Sequence, residues 1–133
     1  MFVLVQATVL TVGLNGENEV LKELPVRLIT THSGIEAARS LKNEEVNSVI
    51  TKWDLDDMKN GLFLKRLKAV KPEIATIVFI SAGDQRQEIA ARCLGASAVL
   101  TDRTSDELLR ETVANVLGLK DFLSIQAVSH IDE

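Results

Sequence analysis

Few residues of this chain are of a type and spacing that could do chemistry. His32 and His130 are its two histidines, and no Cys or His partner stands at metal-ligand spacing from either, so no zinc site is expected. Cys93, the one cysteine, falls late in a helical pattern and reads as a small buried packing residue rather than a nucleophile. Gly13-Leu-Asn-Gly16 is too sparse to cradle a phosphate, because neither Gly-x-Gly-x-x-Gly nor Gly-Lys-Ser/Thr is present. The same stretch lacks the Ser/Thr-rich loop that would wrap a flavin phosphate. Three carboxylates, Asp54, Asp56 and Asp57, crowd just past an apolar run, where Asp57 or Asn60 would cap the helix that follows and complement its positive end. These types and spacings yield no catalytic residue, no metal ligand set and no cofactor.

The scaffold that must hold these side chains is a single domain. A chain of 133 residues buries roughly two thirds of its unfolded surface on folding. With 46% hydrophobic and 26% charged residues it has the composition of a globular fold rather than a disordered chain. A single cysteine excludes a disulfide framework and suggests a reducing, cytoplasmic setting. With 19 acids against 15 bases, a net charge of -4, the chain is not expected to hold nucleic acid, which needs clustered cations. Its densest basic run, Lys65, Arg66, Lys68 and Lys71, reads as the wet face of one helix. The apolar start, Met1 to Gly13, has no positive leader and is too short to span a bilayer, so it reads as a buried strand with a leading extension and no membrane partner is expected.

Strand and helix patterns then alternate. Val, Ile and Leu dominate five short runs bounded by turn residues: Thr8 to Val12, Val26 to Thr30, Val46 to Thr51, Thr76 to Ile80 and Ala98 to Thr101. Between them, Ser33 with Glu36, Asp84 with Gln87 and Thr104 with Glu107 mark helix starts. The expected inner faces are Ile35, Ala38 and Leu41 on one helix and Leu108, Leu109, Val113, Val116 and Leu117 on the last. A helix from about Leu62 to Val70 is closed by Pro72, and the weakest, Glu17 to Leu24, is cut by Pro25. Five βα units of this length predict an α/β fold in three layers, a flavodoxin-like, doubly wound five-stranded parallel sheet of order 2-1-3-4-5. The domain is expected over residues 1–118, with 119–133 a C-terminal tail or short extra helix. Any site should lie at the carboxyl ends of strands one, three, four and five.

In those loops the chain resembles the receiver domains of bacterial response regulators, over roughly residues 8–118. Three stretches carry the likeness: Val49-Ile-Thr-Lys-Trp-Asp-Leu-Asp-Asp-Met-Lys-Asn-Gly-Leu62, Ile77-Val-Phe-Ile-Ser-Ala82 and Ala90-Ala-Arg-Cys-Leu-Gly-Ala-Ser-Ala98. The resemblance implies a phosphoryl-transfer site built from an acidic pair after strand one, an acceptor aspartate ending strand three, a hydroxyl after strand four and a lysine after strand five. Position by position, the acidic pair falls on Gly13 and Leu14. The acceptor falls on Lys52 counting from Asn47, or on Trp53 counting back from Gly61. The lysine falls on Asp102, or on Thr101 if Thr104 sets the register. The hydroxyl is kept as Ser81, and Val99 stands where the family's switch aromatic would be. Trp53 reads as the filling of the vacated pocket.

The resemblance therefore implies a degenerate receiver, a pseudo-receiver of two-component signal transduction that binds a protein partner, or itself, without phosphorylation. The face that the family uses, formed by helix four, strand five and helix five, would here present Arg86, Ile89, Val99, Leu109 and Val113. Lys52 and Asp102 have exchanged charge relative to the family, and read either as an ion pair across the strand ends or as two solvated charges. Two alternatives stand beside this reading: a working phosphoacceptor using Asp54 with Asn15 or Glu17 as cation ligand, and a nucleotide- or flavin-binding domain of the same fold.

Overall fold

The computed structural model describes residues 7–118. Along the chain these form β1 (Ala7–Val12), α1 (Glu17–Leu21), β2 (Val26–Thr31), α2 (Gly34–Asn43), β3 (Ser48–Lys52), α3 (Leu62–Val70), β4 (Ala75–Ile80), α4 (Gln85–Cys93), β5 (Ala98–Thr101) and α5 (Asp106–Leu117). The proposed tail, 119–133, lies outside the described residues.

The strands pair in the order β2-β1-β3-β4-β5, every pairing parallel. Side chains alternate across the sheet and feed opposite faces. Val9, Ile50, Ile77 and Phe79 pack with Val20 and Leu21 of α1 and with Leu109 and Val113 of α5. Leu10, Val12 and Val49 pack with Ala37 of α2 and with Phe63 and Leu67 of α3. Trp53, Leu64, Val78, Ile80 and Ala91 complete the second face beneath α4. This is the three-layer, doubly wound arrangement expected, with its switch between β1 and β3, and it sets four strand ends side by side.

Several local readings change. β3 begins at Ser48 rather than Val46 because the Asn47 side chain accepts the Thr8 N–H at 2.7 Å and its own N–H goes to the Thr8 carbonyl. α1 stops at Leu21, and the chain leaves it through i to i+3 bonds from Glu23 and Leu24 before Pro25. α5 is capped by Ser105, which accepts from Leu108 N–H, because Thr104 is already engaged by Thr101 N–H. α2 buries Gly34 and Ala37, whereas Ile35 and Ala38 face out and only Leu41 of the expected stripe packs inward. Leu108 is likewise exposed, and so is Cys93, which was expected to pack.

Candidate functional site

The carboxyl ends of β3, β4 and β5 enclose a cleft of about 260 Å³ that draws Lys52, Trp53, Asp54, Ser81 and Asp102 together with Glu17 from α1 and Gln87 from α4. Each strand end contributes a defined local structure. β1 ends at Val12, and Gly13 turns with φ +75 while its N–H reaches the Thr31 carbonyl at 3.0 Å. Leu14 points into the core, 1% exposed, beside Val20 and Leu21. Neither offers an oxygen to the cleft. A Cβ at Gly13 would meet Leu55 Cδ2 at 2.8 Å and the stem of Lys52 at 3.8 Å, so the volume an acid there would need is already filled.

β3 ends at Lys52, paired with Phe79, and Trp53 continues the ladder through its N–H to the Phe79 carbonyl at 2.8 Å. The Trp53 ring is buried, as the pocket-filling reading expected, and lies against Gly61. That glycine has φ +72, donates its N–H to the Trp53 carbonyl, and has no side chain to displace the ring. The loop between is closed by Asp54, whose Oδ1 accepts from Asn60 N–H at 2.6 Å. Asp57 does not cap α3, whose first turn is preceded by Gly61. Instead its two carboxylate oxygens accept from Gly34 and Ile35 N–H, both at 2.9 Å, at the start of α2. Those donors, Gly34 foremost, hold the Asp57 carboxyl below the ordinary carboxylate range.

Ser81 is exposed at the end of β4, and its N–H donates to Gln87 Oε1 at 3.0 Å. Gln87 is the cleft residue that the sequence reading missed. Its role there was only to partner Asp84, whose side chain does accept from Gln87 N–H at 3.1 Å. After β5, Asp102 Oδ1 accepts from Ala82 N–H at 3.3 Å. The proposed Lys52 to Asp102 ion pair does not form: among the described residues the pairs within 4.0 Å are Lys22–Glu19, Arg27–Glu44, Arg92–Glu88 and Arg110–Glu23. The backbone amide of Ala82 supplies what Lys52 was expected to supply. Thr101 stays inside the turn, its hydroxyl accepting from Arg103 N–H.

The cleft thus holds one ammonium, three carboxylates and a hydroxyl, with Glu17 turned to the Asn15 N–H at 3.1 Å. Among the described residues no group of three or more His, Cys, Asp or Glu is placed to hold a metal ion. The space on the β1 side is taken by Leu55 and Lys52, and an ammonium stands at the end of β3.

On the proposed interaction face, Arg86 and Ile89 are exposed, Ile89 by 62%, and Val99 is half-buried. Leu109 and Val113 are not on that face. Both lie in the core between α5 and the sheet, because the inner stripe of α5 runs through them. Leu108 is the apolar side chain that α5 turns outward.

No protein-family model matches the sequence, and no curated protein matches it. Solved structures do. The signal receiver domain of an HD domain-containing protein from Pseudomonas fluorescens Pf-5 superposes with a TM-score of 0.76 at 21% identity, over 85% of this chain and 95% of that one. A CheY-like response regulator receiver domain protein from Methanospirillum hungatei JF-1 gives 0.77 at 16%, over 88% and 98%. The chemotaxis response regulator CheY4 of Vibrio cholerae gives 0.74 at 17%, over 84% and 99%. At such identities the likeness is one of fold, and the fold is that of the response-regulator receiver domain.

Proposed function

We propose that this chain is a receiver-type module of two-component signalling that works without phosphoryl transfer, by presenting a fixed surface to a protein partner in the cytoplasm. The observation that carries the reading is the chemistry of three strand ends in a receiver fold. Gly13 and Leu14 follow β1, Lys52 ends β3 and Asp102 follows β5. A phosphoryl group brings negative charge, which needs cations and donors around it. At the end of β5 this cleft offers a carboxylate instead, and Gly13 and Leu14, directly after β1, bring no polar side chain to it. Its loops are also held by internal bonds, Asp54 to Asn60, Asp102 to Ala82 and Gln87 to Ser81, so one arrangement is stabilised with no ligand. The partner, or a second copy, would meet the face of α4, β5 and α5 through Arg86, Ile89, Val99 and Leu108. No catalytic role falls to any residue. Among the described residues no helix is long and apolar enough to cross a membrane.

Incubation of the full chain with acetyl phosphate and magnesium, followed by intact mass, is expected to show no adduct. An adduct mapped to Asp54 would reverse the reading and make the chain a working acceptor. Titration with nucleotides and flavin is expected to leave Trp53 fluorescence unchanged. A saturable response would favour the small-molecule alternative.

A further inference from the structure

A second cavity lies away from the strand ends, between α2 and α3. It holds about 270 Å³, and its floor is apolar, formed by Leu41, Met58 and Phe63. Val70, at the end of α3, stands 77% exposed at its edge, the most exposed large apolar side chain among the described residues. The rim carries Lys42, Arg66 and Lys71, and no carboxylate lines the groove among the described residues. None of the three cations is in an ion pair within 4.0 Å among those residues.

We infer that this groove docks an acidic amphipathic segment of a partner protein, apolar side chains inward and Asp or Glu flanking them. Charge complementarity carries the choice. The chain is acidic overall, at -4, so a ring of three cations with no acid among them runs against the average and marks a local match for negative charge. Lys42 and Lys71 complement the negative ends of their helices, which explains their sign but not the uncovered Val70. A groove walled by residues of α2 and α3 suits the anchor residues of a third helix. This surface is separate from the face of α4, β5 and α5, and it stands whether or not the chain accepts phosphate.

The test is a selection of displayed helical peptides on the full chain, with the Arg66→Glu, Lys71→Glu double variant as counter-selection. Enriched peptides are expected to carry apolar residues at helical spacing and an excess of Asp and Glu. Calorimetry with an enriched peptide should show binding about tenfold weaker to the double variant and to Val70→Asp, both still folded by circular dichroism. Peptides without acidic excess, or equal binding to chain and variants, would overturn the proposal. So would binding that rises about tenfold when Phe122 and Leu123 are both replaced by Ala, which would make residues 119–133 the occupant. A dimer of the full chain that Arg66→Glu dissolves would overturn it in favour of a second copy.

Discussion

Leu14 ties the chemistry of the cleft to the stability of the domain. In the receiver pattern its position takes a carboxylate, yet here the side chain is buried with Val20, Leu21, Leu109 and Val113. Restoring an acid there would forfeit about 1.5–3 kcal/mol of apolar burial. It would also bury a carboxylate with no partner, at a further cost of several kcal/mol. Against a domain stability of about 5–15 kcal/mol, Leu14→Asp is expected to abolish most of the folded population at neutral pH. Urea denaturation followed by Trp53 fluorescence checks this, and a midpoint within error of the parent would place Leu14 outside the core. Leu14 is thus part of the packing, whereas Lys52 and Asp102 line the cleft outside the three apolar clusters.

At the scale of elements, the loop between β3 and α3 is fastened to the start of α2. Met58 packs against Gly34, where a Cβ would meet its sulfur at 2.5 Å, and Asp57 accepts the first free N–H groups of α2. The ionised carboxylate is what these donors stabilise, so Asp57 adds stability fully above its unfolded value near 3.9, and loses it as pH falls through the lower folded value. Asp57→Ala is expected to cost about 1 kcal/mol at pH 7. The deficit should shrink steadily below about pH 4, because the parent then loses what the variant never had. Chemical denaturation at pH 7, 5 and 3 measures it, and a gap that widens on acidification would contradict the assignment. This fastening also explains what could be read from the chain in advance. The buried strands were legible from their Val and Ile runs, and α2 and α4 began at the Ser33 and Asp84 caps as expected. The inner face of α2 was not legible, because Gly34 is buried by a methionine more than 20 residues away, and helical spacing cannot register that contact. Thr104 and Ser105 are equivalent caps on paper, and the bond from Thr101 N–H decides between them. In the cleft, the resemblance to receiver domains brought out Lys52, Ser81 and Asp102, but Gln87 reaches in from a helix through a side-chain bond that no motif encodes.

For the whole molecule, the packing that makes the fold is largely independent of the charges at its upper edge. The three apolar clusters are built mainly from strand interiors and helix inner faces, with Leu14, Leu24, Trp53, Leu55 and Met58 added from loops, and of the cleft residues only Trp53, Phe79 and Ile80 belong to them. Exchanging the two charges, Lys52→Asp with Asp102→Lys, is therefore expected to change the stability little, by about 1 kcal/mol, since Asp102 is exposed and Lys52, half-buried at the end of β3, is in no ion pair among the described residues. It places a carboxylate at the end of β3 and an ammonium at the end of β5, the pair that the resemblance to receivers implies for taking and holding a phosphoryl group. It does not return a cation site, because Gly13 has no side chain, Leu14 faces the core, and Glu17 is turned to Asn15. Phosphoryl transfer without a metal leaves the developing charge uncompensated. The double variant, folded and incubated with acetyl phosphate and magnesium, is thus expected to remain unmodified by intact mass. An adduct on the new aspartate would mean that Glu17, which already lines the cleft, leaves the Asn15 N–H to ligate a cation, and that the chain lies two substitutions from a working receiver.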